Sequence, residues 1–518
     1  MPNGLGLPDG SLGTPHRPTL SNGSPGTPHR LALSLLALLA TVAYAPMLTI
    51  PLFEDDYPNL WQSQQLGSPA EALALLHNPV FRLRATSFWI MFLLWRVGRL
   101  APLVYRLTSL LLHIANTWLL YGICLAWPRM RAAALWAAGF FAVAEGHQEA
   151  VMWFSAINEL LQFLFGMGAL WCWLRGDKLP GDKLRGGRWL RLAGVALFAL
   201  ALISKESAVA ILPLFLLTAR RSEWRRTAIR LVPYAVLAAV AVAGVVGSRD
   251  ISFRFSDGSF SLHAPFWITW PSNYVRLLWI WGFAAAGAIL LARDRTLRGS
   301  AMPALAWIGI GLAPYSFLLY SVRIPSRQTY LASAGLAMLC GLAMAHWQAR
   351  TGSRHGVVAR NRFGGIGARP PLPYGHRSVT AYKLGEAMPQ TEPGPEGTPL
   401  ESVRGLNTHE SPRRFSTRGL IAAAAAVVLL HNVGYLWTRK RSQFLERAAP
   451  TEQLIALARR TPGPIWVRCF PRNRFIAEEA AQLGAGYAPS DLIWDEAEAA
   501  RRHATAVFCW QASKPTPP

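Results

Sequence analysis

The chain has 518 residues, of which 52% are hydrophobic and only 15% charged, and its apolar residues fall in runs of roughly 20, the length that crosses a bilayer. This pattern, with a mean hydropathy of +0.22, excludes a soluble globular enzyme, and five cysteines do not make a disulfide scaffold. The formal charge of +24 does not indicate nucleic acid, because the basic residues cluster in short connectors between apolar runs, where an orientation signal is expected.

Residues 1–29 are Pro, Gly, Ser and Thr with His-Arg pairs, too poor in apolar residues to bury a core, and are expected to be a disordered cytoplasmic tail. No cleavable signal is evident, since the first apolar run lacks a small-residue cleavage site. That run, about 31–52, ends in three consecutive carboxylates, Glu54, Asp55 and Asp56, with no Lys or Arg beside them. Pro51 and Pro58 stop a helix from running straight through, so the trio sits in a shaped turn at the membrane surface. Acidic groups there are costly unless solvated, paired or used. A polar stop is the bland reading, and a catalytic or ion-coupling carboxylate is favoured over it. Residues 69–76 have helical spacing, while 86–95, bracketed by Arg84 and Arg96, are too short to cross and are expected to lie flat at the interface.

Ten further spans are expected at about 103–127, 132–144, 151–174, a fifth ending at Ser204, a sixth reaching Arg220, then 229–246, 274–291, 301–320, 329–347 and 420–437. Eleven crossings with the N-terminus inside put the basic connectors 128–131, 175–191, 220–226 and 293–298 on the cytoplasmic side. An outer loop, 247–271, alternates Phe and polar residues at 251–260. Residues 348–418 are basic and rich in Gly and Pro, hence an unstructured cytoplasmic loop. The organisation is thus a tail (1–29), a transmembrane catalytic domain (30–347), the loop (348–418), a last span (419–437) and a small outer α/β domain (438–518). In that domain 451–460 and 476–483 read as helices, and 465–469 and 505–509 as short strands. Cys469 and Cys509 fall in the two strands and are either a disulfide or two buried thiols.

With this topology Asp55, Asp56, Glu145, His147, Glu149, Lys205, Glu206 and Arg327 all fall at span ends on the outer face. A carboxylate there can take a proton from an incoming hydroxyl, and Arg or Lys can hold a phosphate and stabilise its growing charge. Together these make a glycosyl transfer from a lipid-phosphate sugar. Taken singly the residues are less specific: Lys205-Glu206 reads as a neutralised pair, His147 as an interfacial histidine, Glu159 as a helix-packing residue, and Arg82 and Arg84 as snorkelling cations. The competing class is a transporter or flippase using the acidic cluster for coupling. It calls for charges in mid-span and paired broken helices, whereas almost all charges here sit at span ends.

Phe53-Glu-Asp-Asp-Tyr57, Phe81-Arg-Leu, Tyr105-Arg-Leu-Thr-Ser-Leu-Leu-Leu-His-Ile-Ala-Asn116, Glu149-Ala-Val-Met-Trp153, Ser204-Lys-Glu206 and Arg327-Gln-Thr-Tyr330 occur in the order found in GT-C fold membrane glycosyltransferases. Over about residues 31–347 the chain resembles the bacterial relatives of the transmembrane and tetratricopeptide-repeat mannosyltransferases and the protein O-mannosyltransferases. No repeat of about 34 residues follows the spans. The resemblance implies a polyprenyl-phosphate sugar donor, inverting transfer on the outer face of the inner membrane, and a protein, lipid or glycan acceptor. It makes Asp55 the base with Asp56 as the alternative, puts Glu149 and His147 in the second outer loop, and gives Lys205, Arg327 and Arg82 to the donor phosphate. Glu145, Glu206 and Tyr330 support them. A His-Pro pair usual in that second loop is Ala144-Glu145 here, and an arginine usual after the following Trp is Ile157. The pattern specifies no particular cofactor and leaves a divalent metal among the acids open.

Overall fold

A computed structural model describes residues 27–176, 184–219, 221–247, 261, 263–317, 324–363 and 417–511. The expectations for residues 1–26, for the Phe-rich stretch 251–260 and for most of the 348–418 loop lie outside them.

The fold is helical. In chain order the N-terminal part contains α1 (Thr27–Tyr44), α2 (Asp56–Gln65), α3 (Pro69–Ala74), α4 (Ala85–Gly98), α5 (Pro102–Ala126), α6 (Ala134–Val143), α7 (Gln148–Met152) and α8 (Ile157–Gly176). There follow α9 (Leu184–Leu202), α10 (Ile211–Thr218), α11 (Trp224–Val246), α12 (Phe266–Leu291), α13 (Arg295–Leu312), α14 (Tyr330–Phe363), α15 (Thr417–Tyr435) and α16 (Arg441–Ala458). The tail adds β1 (Ile465–Cys469), α17 (Arg474–Ala485), β2 (Leu492–Ile493), α18 (Glu496–Arg501) and β3 (Ala506–Cys509).

Among the described residues seven helices are long and apolar enough to cross a membrane: His29–Thr49, Pro102–Ala126, Phe154–Gly176, Trp224–Val246, Phe266–Leu291, Ser326–Arg350 and Gly419–Ala458. The chain is a multi-pass helical membrane protein. Seven of the eleven expected spans meet this standard, and each of the other four segments is helical over its described residues. Arg131–Val143 and Glu206–Thr218 are apolar but shorter, and α9 and α13 carry arginines near their starts, at Arg185, Arg188 and Arg191 and at Arg295 and Arg298. The interfacial stretch is the 14-residue α4, which packs on α2 and receives α3 through a Trp89 indole donating to the Ala72 carbonyl at 2.8 Å.

The chain divides into two compact units, one made of Met1–Ala345 with Val427–Pro518 and one of His346–Ala426. The C-terminal tail thus belongs to the same unit as α1–α13 and shares a core with its first helices: Ile455 and Ala480 pack with Tyr57, Leu60 and Phe88. The reason is that the last span is one part of a longer helix. Helix runs on from Gly419 to Ala458 through a π-helical turn at Leu436–Lys440, so α16 carries the tail back over α2, where α17 docks.

The tail's three strands are parallel, in the order β2-β1-β3, with Ile465 opposite both Leu492 and Ala506. Both anticipated strands and both helices form, and β2 and α18 were not anticipated. Their core is Leu454, Ile465, Val467, Ala477, Leu492 and Phe508. Cys469 and Cys509 are a disulfide across the ends of β1 and β3, 40 residues apart in sequence. Closing a loop of that length is expected to stabilise the tail by about 4 kcal/mol. Peptide mapping without reduction should recover the two cysteine peptides linked, and free alkylation of both would contradict the pairing.

Candidate active site

The acidic turn is built around a buried arginine. Arg106, on the second turn of α5, is fully buried and donates Nε to the Ile50 carbonyl at 3.3 Å, Nη1 to the Met152 carbonyl at 3.0 Å and Nη2 to the Pro51 carbonyl. Pro51 has no N–H with which to extend a helix, so the chain after α1 is free to turn these carbonyls onto the guanidinium. Nη2 also meets Asp56 Oδ2 at 3.2 Å, and both side chains are wholly shielded from solvent.

Asp56 is saturated. Its Oδ2 also accepts from the Phe53 N–H at 3.3 Å, and its Oδ1 accepts from the Ser155 N–H at 2.9 Å and the Ser155 hydroxyl at 2.7 Å. As the first residue of α2 it adds a favourable charge at the helix N-terminus. Every lone-pair direction of this carboxylate is taken by structure.

Glu54 is held differently. Its backbone is in the left-handed region, with φ 48°, a conformation that costs a non-glycine residue about 1 kcal/mol or more. The carboxylate accepts from Arg447 Nε at 3.0 Å and from Arg447 Nη2, and pairs with Arg472 Nη2 at 2.6 Å. The Arg447 guanidinium lies 5.1 Å from the Phe53 ring centroid and 4.8 Å from that of Trp153, positions in which a cation is attracted by the ring face.

Glu149 completes the frame from α7. Its Oε2 accepts from the Arg327 N–H at 3.2 Å and lies 3.8 Å from Arg327 Nη1, and its Oε1 is 4.0 Å from Arg447 Nη1. The Arg327 guanidinium covers the other contact on Trp153, 4.8 Å from the ring.

Asp55 stands in the middle of these pairs without one of its own: among the described residues its carboxylate has no hydrogen-bond or ion-pair partner. It is partly exposed. Burial, then the neighbouring Glu54 and Asp56 charges, push its pKa up, and Arg327 and Arg447 pull against that. With Glu54 it lines a cavity of about 540 Å³ whose other walls are Phe470, Pro471, Arg472, Asn473 and Ile476.

The remaining expected residues lie outside this frame. Lys205 is buried and ion-paired to Glu159, not to Glu206, and its ammonium sits 4.8 Å from the Tyr315 ring; burial brings its pKa down to about 8 against the pull of Glu159. Tyr315 in turn donates to Glu159 at 3.2 Å. Glu206 pairs with Arg84 at 3.0 Å. The neutralised Lys205-Glu206 pair is thereby corrected: Lys205 is extended, with φ −162° and ψ 137°, and successive side chains of an extended chain point to opposite sides. Glu159 is likewise more than a packing residue. Ser155 lies in the 3-10 turn Phe154–Ala156 that leads into α8 and Glu159 in the first turn of α8, so the Asp56 clamp and the Lys205 pair are anchored four residues apart in the chain.

His147 is turned inward, its Nε2 2.6 Å from the Ser333 hydroxyl and its ring packed on Phe141, His113 and Tyr330; burial holds it neutral, well below the usual imidazole range. Tyr330 is buried beside it, with its hydroxyl 2.8 Å from His113 Nδ1 and accepting from Asn116 at 3.3 Å. Glu145 faces α15, where its N–H donates to Asn432 at 2.9 Å and its carboxylate lies 3.4 Å from His431. Arg82 donates to the Gly244 carbonyl at the end of α11.

Of the expected set, the structure brings together Asp55, Asp56, Glu149 and Arg327. Sequence reasoning missed Arg106, Ser155, Arg447 and Arg472. Arg106 had a signal, an arginine inside an apolar run; the two tail arginines had none. A divalent metal does not fit, because Glu54, Asp56 and Glu149 are each occupied by arginine, and no group of three His, Cys, Asp or Glu ligands is present among the described residues.

No family model and no curated protein matches the chain. Among solved structures it is similar to the oligosaccharyltransferase AglB of Archaeoglobus fulgidus, solved with an inhibitory peptide and a dolichol-phosphate, at 12% identity and a TM-score of 0.48, covering 89% of this chain and 64% of that one. It is similar also to ArnT of Cupriavidus metallidurans, at 14% identity and a TM-score of 0.46 in the apo state, covering 92% of this chain and 90% of that one. The same ArnT bound to undecaprenyl phosphate gives 13% identity and a TM-score of 0.42, covering 91% and 90%. Both are glycosyltransferases of the GT-C fold, the fold that the ordered motifs resemble, and the narrower resemblance to O-mannosyltransferases has no support in these matches. The chain spans about two thirds of the oligosaccharyltransferase's length. At these identities and scores the likeness carries no residue-level inference.

Proposed function

We propose that the protein is an inverting glycosyltransferase that moves a sugar from a polyprenyl-phosphate donor to a hydroxyl acceptor on the outer face of the membrane. The observation that carries this reading is Asp55, a carboxylate without a partner among the described residues, set among three carboxylates that arginines already neutralise. A carboxylate with a raised pKa and no protein partner is suited to accept a proton.

In the proposed step Asp55 takes the proton of the acceptor hydroxyl as the acceptor oxygen bonds to the sugar C1. The bond from C1 to the phosphate oxygen breaks, and its electron pair leaves with the lipid phosphate. A single displacement inverts the anomeric centre. Arg327 is the cation placed to receive the charge that grows on the phosphate: it is partly exposed, and a guanidinium has five N–H donors, of which one end rests loosely on Glu149 at 3.8 Å. Asp56 is a positioning residue in this reading, fixing the turn that presents Asp55. Glu149 holds Arg327 and Arg447 in place.

The test is transfer by full-length protein in lipid discs, with labelled polyprenyl-phosphate sugars, mannose among them, as donors. Release of polyprenyl phosphate with an inverted product is expected for at least one sugar. Binding of donors without any release across the panel would defeat the reading.

A further inference from the structure

The cavity at Asp55 is closed on one side by the segment joining β1 to α17, through Phe470, Pro471, Arg472 and Asn473. Its volume of about 540 Å³ lies in the range of about 300–1,000 Å³ that receives small-molecule groups. Two contacts hold this wall against the acidic turn, and a disulfide within the tail fixes where it starts. The segment starts at Cys469, which is disulfide-bonded to Cys509. Arg472 is paired with Glu54 at 2.6 Å. Ile476, in the first turn of α17, is buried, and that helix docks on α2.

The lining is chemically mixed in a way that narrows its occupant. It offers strong acceptors in Glu54 and Asp55, strong donors in the Arg472 guanidinium and the Asn473 amide, and flat apolar surface in Phe470 and Pro471. The Asn473 side chain has no hydrogen-bond partner among the described residues. An anionic group entering here would face two carboxylates, a cationic one would face Arg472, and an apolar one would desolvate three charged groups without replacing their hydrogen bonds. A ring bearing several hydroxyls meets all three conditions, since each hydroxyl both donates and accepts and the ring's C–H face packs on Phe470 or Pro471.

We propose that this cavity is the acceptor subsite and that it takes a neutral, hydroxyl-rich acceptor, a glycan, with Arg472 and Asn473 selecting it. The proposal rests on the reading of Asp55 as the base. The bound hydroxyl gives its proton to Asp55 as its oxygen joins the sugar C1, and the lipid phosphate leaves with the bonding electrons.

The experiment uses full-length protein in lipid discs with a donor that it turns over, offered neutral oligosaccharides, acidic oligosaccharides and Ser/Thr peptides. Transfer onto the neutral oligosaccharides is expected, with Arg472→Ala and Asn473→Ala each raising the acceptor KM about tenfold, the loss of one good hydrogen bond, while the donor KM moves by about twofold at most. Asn473→Ala breaks no ion pair, so its result stands even where Arg472→Ala disturbs Glu54. Transfer confined to peptides or acidic glycans, or an unchanged acceptor KM in both variants, overturns the subsite and leaves the base reading intact. Absence of any polyprenyl phosphate release by the unmodified protein removes the base reading and the subsite with it.

Discussion

Asp55→Asn will lower turnover by about a hundredfold or more, the range that a positioned general base contributes, and the variant will remain folded. Both halves follow from the same observation. The Asp55 carboxylate makes no hydrogen bond or ion pair among the described residues, so an amide of equal size disturbs no contact there but cannot take the proton. The pH dependence sharpens the test. Burial and the Glu54 and Asp56 charges raise the Asp55 pKa, so activity should fall as pH falls through a pKa higher than that of an ordinary aspartate, and the residual activity of Asp55→Asn should lack that limb. Stability has the opposite sign. An acid whose pKa is raised on folding binds more protons in the native than in the unfolded state, so it costs stability as pH rises through that window. At neutral pH Asp55→Asn should therefore unfold at the same temperature as the parent protein or a higher one. Unchanged transfer in this variant would end the proposed mechanism.

Much of this site was readable in the sequence as chemistry and little of it as geometry. Three adjacent carboxylates at the end of a span require a use, and that much needs only Glu54, Asp55 and Asp56 in a row. Which of them is free depends on partners that arrive from elsewhere: Arg106 is 50 residues from Asp56, and Arg447 is 393 residues from Glu54. No local pattern encodes such pairings, so Asp55 and Asp56 were interchangeable until Arg106 and Ser155 were seen to claim one of them. Lys205 and Glu206 show the converse, neighbours in sequence that an extended backbone sends to different partners. The helices were legible because apolar runs of span length have few other uses, whereas α9 and α13 diverge because arginines at their starts shorten the apolar window. The continuation of the last span into α16 was hidden by the polar residues of 438–443, which read as the end of a helix and are instead part of one that runs on to Ala458.

Arg106→Met should be the most damaging substitution for folding. Methionine nearly matches the apolar stem of arginine and leaves little void, so the loss is electrostatic. Removing the guanidinium strands the carboxylate of Asp56, which is wholly shielded from solvent, and three carbonyls, those of Ile50, Pro51 and Met152. Breaking a buried pair by deleting one partner costs about 3–5 kcal/mol, of the order of half the stability of a typical domain. A second substitution separates charge from packing. With Asp56→Asn added, the stranded negative charge is gone, and the amide still accepts from Ser155 while losing the favourable charge at the α2 terminus. The double variant Arg106→Met, Asp56→Asn should thus recover part of the loss, by an interaction energy of about 1–3 kcal/mol. The measurement is thermal unfolding of the detergent-solubilised protein, followed by size-exclusion chromatography after heating. Equal or additive losses in the single and double variants would mean that Arg106 stabilises the turn through its backbone carbonyls alone, and that Asp56 owes its position to Ser155 and the helix terminus.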